Sequence, residues 1–203
     1  MPFTDILTAQ LFVLGISGLV LAYTVIKGIL HYRQGGDIEH AMKSGQAPLT
    51  LLGLYVLISG LYGQFIWPLP GSYNILFYDI YPLWGMFLLA SAWVLHSKLR
   101  LQYAGFFALL IGCMTILYGV SGYRLGLTSV PLALLGLYGL FGLAGILGYP
   151  VTLMFDRAQT KRKNRWAGWA LILAVFLIVL ILASLLAMYI GMSAIPVHLA
   201  SPP

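Results

Sequence analysis

Asp79 lies in the stretch WPLPGSYNILFYDIYPLWG, residues 67–85, and is the one carboxylate embedded in a long hydrophobic segment of the chain. An ionisable group at membrane depth is costly, so it marks a functional site until its partner is found. Arg124 is the natural partner. The two hydrophobic segments that carry Asp79 and Arg124 are joined by a short turn, which makes them antiparallel neighbours and brings both charges to the same end. Pairing would relieve the cost of both. Tyr62, Gln64, Trp67, Tyr73, Asn74, Tyr78 and Tyr81 collect at that end and form a candidate binding cluster. The competing reading is an aromatic belt at the membrane interface. Gln64 and Asn74 are the more informative members, because their donors and acceptors must be satisfied under lipid or protein. His31 and His96 end two segments at similar depth, which allows a pair of axial haem ligands. No spacing signature supports that pair, and histidine at a membrane boundary ordinarily meets water and headgroups.

The elements that must position these residues are membrane spans. With 61% hydrophobic and 8% charged residues among 203, the chain lies far from soluble averages, in which about a quarter of residues are charged. An all-α integral membrane protein is expected, with residues 1–203 as a single transmembrane domain. Spans of about 20 apolar residues fall at 8–30, 48–67, 75–96, 102–120, 130–154 and 167–190. The formal charge of +6 does not point to nucleic acid, since the basic residues cluster in the loops between spans. Ten of the eleven Lys and Arg residues, including the Lys161–Arg165 cluster, fall in three alternate loops and leave Arg124 alone on the other side. The positive-inside rule then puts both termini outside, in a multi-pass protein of the cell membrane. The lone Cys113 excludes an intrachain disulfide. No signal peptide is read at the N-terminus, so the first span is expected to be retained.

Two features bear on how these spans pack. If the third span starts near Asp79, that residue is a plain N-cap and Pro82 sits harmlessly in the first turn. If it starts near Ser72, Pro82 removes the ladder bond to the Tyr78 carbonyl and bends the helix beside the carboxylate. Glycines at 53 and 60, at 105, 112 and 119, and at every third position from 136 to 148 offer seams for close helix approach. The last span is almost unbroken Leu, Ile, Val and Ala, so it should be peripheral except along Ala183, Ala187 and Gly191.

An internal match joins PLTLLGLY at 48–55 with PLALLGLY at 131–138. A second block aligns Thr24, Gly28, Tyr32, Arg33 and Gly35 with Thr115, Gly119, Tyr123, Arg124 and Gly126. The repeat unit would be three spans, halves 8–96 and 102–190, and an odd span number would invert the second copy. The run WPLPGSYNILFYD in a six-span basic chain resembles an uncharacterised archaeal multi-span membrane protein family, a domain of unknown function, over most of its length. The resemblance implies no activity, cofactor or site residue. Three classes of function follow. An inverted repeat favours a small-solute or ion transporter or channel. The glycine seams and apolar last span would also suit a non-catalytic subunit of a larger membrane complex, associated with quinone or haem, or a homo-oligomer. A lipid-modifying enzyme ranks last, since acids, histidines and nucleophiles are too few and too scattered.

Overall fold

The computed structural model describes residues 6–160 and 169–200, apart from the side chains of Glu39, Gln159, Thr160, Val197 and His198. The Lys161–Arg165 cluster therefore lies outside the described residues. Every element is helical: α1 (Ile6–Arg33), α2 (Ile38–Lys43), α3 (Gln46–Ile66), α4 (Ser72–Tyr78), α5 (Tyr81–Ser97), α6 (Gln102–Arg124), α7 (Pro131–Thr160) and α8 (Ala170–Ala200). Among the described residues six apolar segments are long enough to span a membrane, with α4 and α5 together forming the third. All six expected spans are present.

Glycine decides which helices pair. A Cβ at Gly112 would collide with the Gly142 carbonyl oxygen, and one at Gly145 with the Ala108 carbonyl oxygen, so α6 and α7 meet backbone to backbone. Gly105 and Gly119 extend this seam against Thr152 and Tyr138. Gly53 and Gly85 bring α3 against α5 in the same way, with Gly60 receiving the ring of Pro82. Gly15 and Gly18 accept Met188 and Ser184, which locks α1 to α8 beside the fully buried Ala183 and Ala187. Not every glycine participates. Gly139 has nothing within 4 Å of where a Cβ would stand, so only part of the period-three groove on α7 is used.

The bundle is thus a ring of three tight pairs, α1 with α8, α3 with α5, and α6 with α7. This pairing gives the expected 3+3 repeat no support. The aligned halves would make α1 with α3 the counterpart of α6 with α7, yet α1 turns its glycines toward α8 and meets α3 only sparsely. The matched motifs also occupy unlike surroundings, Tyr55 being 45% exposed and Tyr138 only 8%.

Gly191 near the end of α8 lies beside Thr8 and Leu11 near the start of α1, so the start of α1 and the end of α8 share one face of the bundle. We call it the terminal face. The opposite, basic face carries α2, Lys98, Arg100 and Arg157. There the Asp156 carboxylate accepts hydrogen bonds from the backbone N–H groups of Leu101 (2.8 Å) and Gln102 (2.9 Å), capping α6 from a neighbouring helix. That is where a carboxylate best meets the free amides and positive end of a helix.

Candidate functional site

The third span starts at Ser72 and breaks at Asp79–Ile80, so the bent reading of the Pro82 region is the one realised. Gly71, in the left-handed region at φ 51°, turns the chain from α3 into α4. Asp79 closes α4 with its N–H on the Ile75 carbonyl, and the ladder resumes with the Trp84 N–H on the Ile80 carbonyl. Pro82 has no N–H to offer Tyr78. The interruption frees carbonyls, and one of them is used. The buried Tyr138 hydroxyl of α7 donates to the Leu76 carbonyl oxygen at 2.6 Å.

Asp79 takes a neighbouring hydroxyl in place of a guanidinium. The Tyr118 hydroxyl donates to its Oδ2 at 2.7 Å, while Arg124 is exposed in the last turn of α6 and forms no ion pair with it. Depth explains this correction. Asp79 lies seven residues, about 10 Å, below the start of its span, whereas Arg124 ends its helix. Tyr118 lies six residues, about 9 Å, below Arg124 and meets the carboxylate at its own level.

The remaining expected residues separate into three groups. Tyr62, Trp67 and Tyr73 are exposed on the outside of the bundle, Gln64 is half-buried near them, and none lines the cavity described below. Asn74 and Tyr78 are structural. The Asn74 side chain, 1% exposed, donates to the Gly63 carbonyl at 3.0 Å and accepts from the Leu69 N–H at 3.2 Å, while the Tyr78 ring fills the space left by Gly63. Together they fasten α4 to the end of α3. Tyr81 belongs to a cavity. His31 and His96 keep different company: His31 lies 6.4 Å from the His40 ring, and His96 Nδ1 is 3.1 Å from Gln46 Nε2. Among the described residues no three of His, Cys, Asp and Glu gather as metal ligands.

That cavity is one of the large concave features among the described residues, beside a more open groove of about 770 Å³ between α3, α5 and α6. The cavity has a volume of about 670 Å³ and is bounded by α1, the α4–α5 break, α6, α7 and α8, a size in the range that holds a small organic ligand (about 300–1,000 Å³). Thr8, Thr128, Ser129 and Ser193 place hydroxyls around its mouth at the terminal face. Below them the walls are mainly aliphatic and aromatic, interrupted by Gln10, Thr115 and the phenols Tyr81 and Tyr138, and none of the described lining residues is charged.

Trp84, Phe87, Ala108 and Gly145 line this cavity and also a second void of about 60 Å³ toward the basic face, so they form the partition between the two. Trp84 is held there on three sides. Its Nε1 donates to Ser17 Oγ of α1 at 2.8 Å, and its ring lies 5.1 Å from Phe87 and 5.7 Å, edge-on, from Phe141 of α7. Ser17 in turn donates to the Leu14 carbonyl at 2.8 Å. One indole therefore ties α1, α5 and α7 together at the cavity floor.

A model of a family described as a protein of unknown function (DUF981) matches residues 1–201. The chain belongs to that family. No curated protein and no solved structure matches it. In this DUF981 chain the site-forming residues that sequence reasoning passed over are Gln10, Ser17, Trp84, Thr128 and Tyr138. Gln10 and Ser17 carried a signal, being polar groups inside the first span. Trp84 and Tyr138 carried none, because a lone aromatic in a span reads the same on either side of a helix.

Proposed function

We propose that this membrane protein is a small-solute carrier whose binding site is the cavity at the terminal face. One observation carries the reading: a deep cavity open at that face ends at an aromatic partition, with a second void directly beyond it. A route open at one side and closed at mid-depth is what alternating access needs, and the break at Asp79–Ile80 supplies an interrupted helix beside it. The distribution of Lys and Arg supports an opening on the non-cytoplasmic side. Walls without charge suit a solute better than a bare ion. The outward aromatic and aliphatic residues of α3 are what lipid contact requires, and they give no separate ground for a partner subunit.

The test is two-sided accessibility in oriented vesicles, with Cys113 replaced by Ser. A membrane-impermeant thiol reagent should label Ser193→Cys from the terminal side and Leu95→Cys, in the lower void, from the basic side. The two rates should change in opposite directions when the cavity is loaded. Leu95→Cys that stays inert from both sides under all loadings would make the cavity a fixed binding site and defeat the carrier reading.

A further inference from the structure

We infer that the cavity takes an uncharged, single-chain amphiphile, held with its polar end at the hydroxyl mouth and its chain against the aromatic floor. This rests on the same cavity as the carrier reading but not on movement through it.

Shape comes first. Along α7 the lining runs from Ala133 to Gly145, a rise of twelve residues, or about 18 Å of helix, which is more than half of a hydrocarbon core of ~30 Å. The opposite wall, on α1, runs from Leu7 to Leu14. A compact ligand would leave much of this length empty, whereas an extended chain fills it.

Polarity is graded along that length. Thr8, Thr128, Ser129 and Ser193 sit at the mouth, each with a hydroxyl oxygen able to accept, that of Ser193 already donating to the Ile190 carbonyl. The floor offers Trp84, Phe87, Phe141 and Ala108, and the only polar atom of Trp84 is already bonded to Ser17. Between mouth and floor the Thr115 and Tyr138 hydroxyls are already committed to the Ile111 and Leu76 carbonyls. Gln10 stands two residues below Thr8 and Tyr81 adds a phenol to the upper wall, so hydrogen-bonding groups are densest toward the top and an apolar tail fits the floor.

Charge excludes the ionic amphiphiles. Asp79 is the charged group closest in sequence to the cavity residues Phe77, Ile80 and Tyr81, yet it is turned to Tyr118 and does not line the wall. A carboxylate or ammonium head would find no counter-ion among the described lining residues, and an unpaired charge against apolar walls is strongly disfavoured.

The experiment uses three probes with the same chain: ω-bromododecanol, ω-bromododecanoate and an ω-bromododecyl trimethylammonium salt. Bromine at the chain end should quench Trp84 from the floor. The reporter keeps Trp84 and changes Trp67, Trp93, Trp166 and Trp169 to Phe. The reference adds Ala133→Phe and Ala194→Phe, which fill the mouth. The expected result is saturable quenching by the alcohol at a concentration about tenfold or more below either charged probe, lost in the filled reference. Equal quenching by all three, stronger quenching by a charged probe, or alcohol quenching that survives filling would overturn the assignment. Native mass spectrometry of the unaltered chain guards against a reporter that misfolds. A one-to-one adduct with the alcohol in preference to the charged probes supports the inference, and its absence overturns it. Saturable binding with an inert Leu95→Cys would defeat the carrier reading alone. Reciprocal accessibility without alcohol binding would defeat the ligand assignment alone.

Discussion

The two halves of this bundle are built from the same six spans and behave in opposite ways. Toward the basic face and through the middle, α6 and α7 touch backbone to backbone at Gly112, Gly142 and Gly145, and Asp156 caps α6 from across the pair. Toward the terminal face α1 and α7 diverge around a cavity, and α6 and α7 reach the α4–α5 break through single hydroxyls: Tyr138 on Leu76, Tyr118 on Asp79. Lipid offers no hydrophobic drive for helices to associate, so close backbone packing and hydrogen bonds must hold the bundle. Where small residues line a seam the helices close. Where leucine and aromatic side chains face inward, as at Leu11, Leu134 and Phe141, the helices stand apart and leave a site.

Substituting glycine tests this contrast most sharply. Gly112→Ala puts a methyl group into the Gly142 carbonyl and the Ile146 N–H, atoms that cannot move without shifting a helix. The expected loss is about 3 kcal/mol, read as thermal unfolding in detergent. Gly139→Ala adds a methyl where nothing stands within 4 Å, and should be neutral or stabilising by up to ~1 kcal/mol through helix propensity. Similar losses at both positions would show that the α6–α7 seam is not special.

The second effect separates the two carboxylates. Asp156→Ala removes an acceptor shared by two backbone amides of α6 and should cost about 2 kcal/mol. Faster hydrogen exchange confined to the first turn of α6 is the specific sign. Tyr138→Phe follows, at about 1–2 kcal/mol, because it leaves the Leu76 carbonyl without its partner at an already broken helix. Exchange should rise in residues 76–81 and not at the basic face.

What the sequence disclosed follows the same divide. The glycine seams at 53 and 60 and at 105, 112 and 119, and the row Ala183, Ala187 and Gly191, were legible because a small residue at helical spacing marks a surface before any partner is known. The Pro82 bend was legible as one of two alternatives for a similar reason, since a missing N–H is a local fact. The cavity was not. It is the space left where five helices fail to meet, and that depends on tilts fixed by seams elsewhere. The repeat gains no support from the packing: Leu-rich motifs recur in any span, and the identical ends of PLTLLGLY and PLALLGLY, Tyr55 and Tyr138, differ in exposure.

Asp79 offers the smallest effect and the finest discrimination. An ion pair with Arg124 would make either single substitution costly and the double substitution partly restorative. A hydrogen bond from Tyr118 gives another pattern. Arg124 is exposed, so Arg124→Gln should fall within ~0.5 kcal/mol of the parent. Asp79→Asn keeps an acceptor oxygen but loses the charge that strengthens the bond, and should cost about 1 kcal/mol. The double variant Asp79→Asn with Arg124→Gln should equal the sum of its parts, as uncoupled sites do. The cycle with Tyr118→Phe should not be additive: once the Tyr118 hydroxyl is gone, Asp79→Asn has less left to remove, and a coupling of about 0.5–1.5 kcal/mol should appear. Coupling to Arg124 with none to Tyr118 would mean that the carboxylate swings toward the terminal face in the membrane. The α4–α5 break would then be a moving part at the cavity's edge rather than a fixed bend.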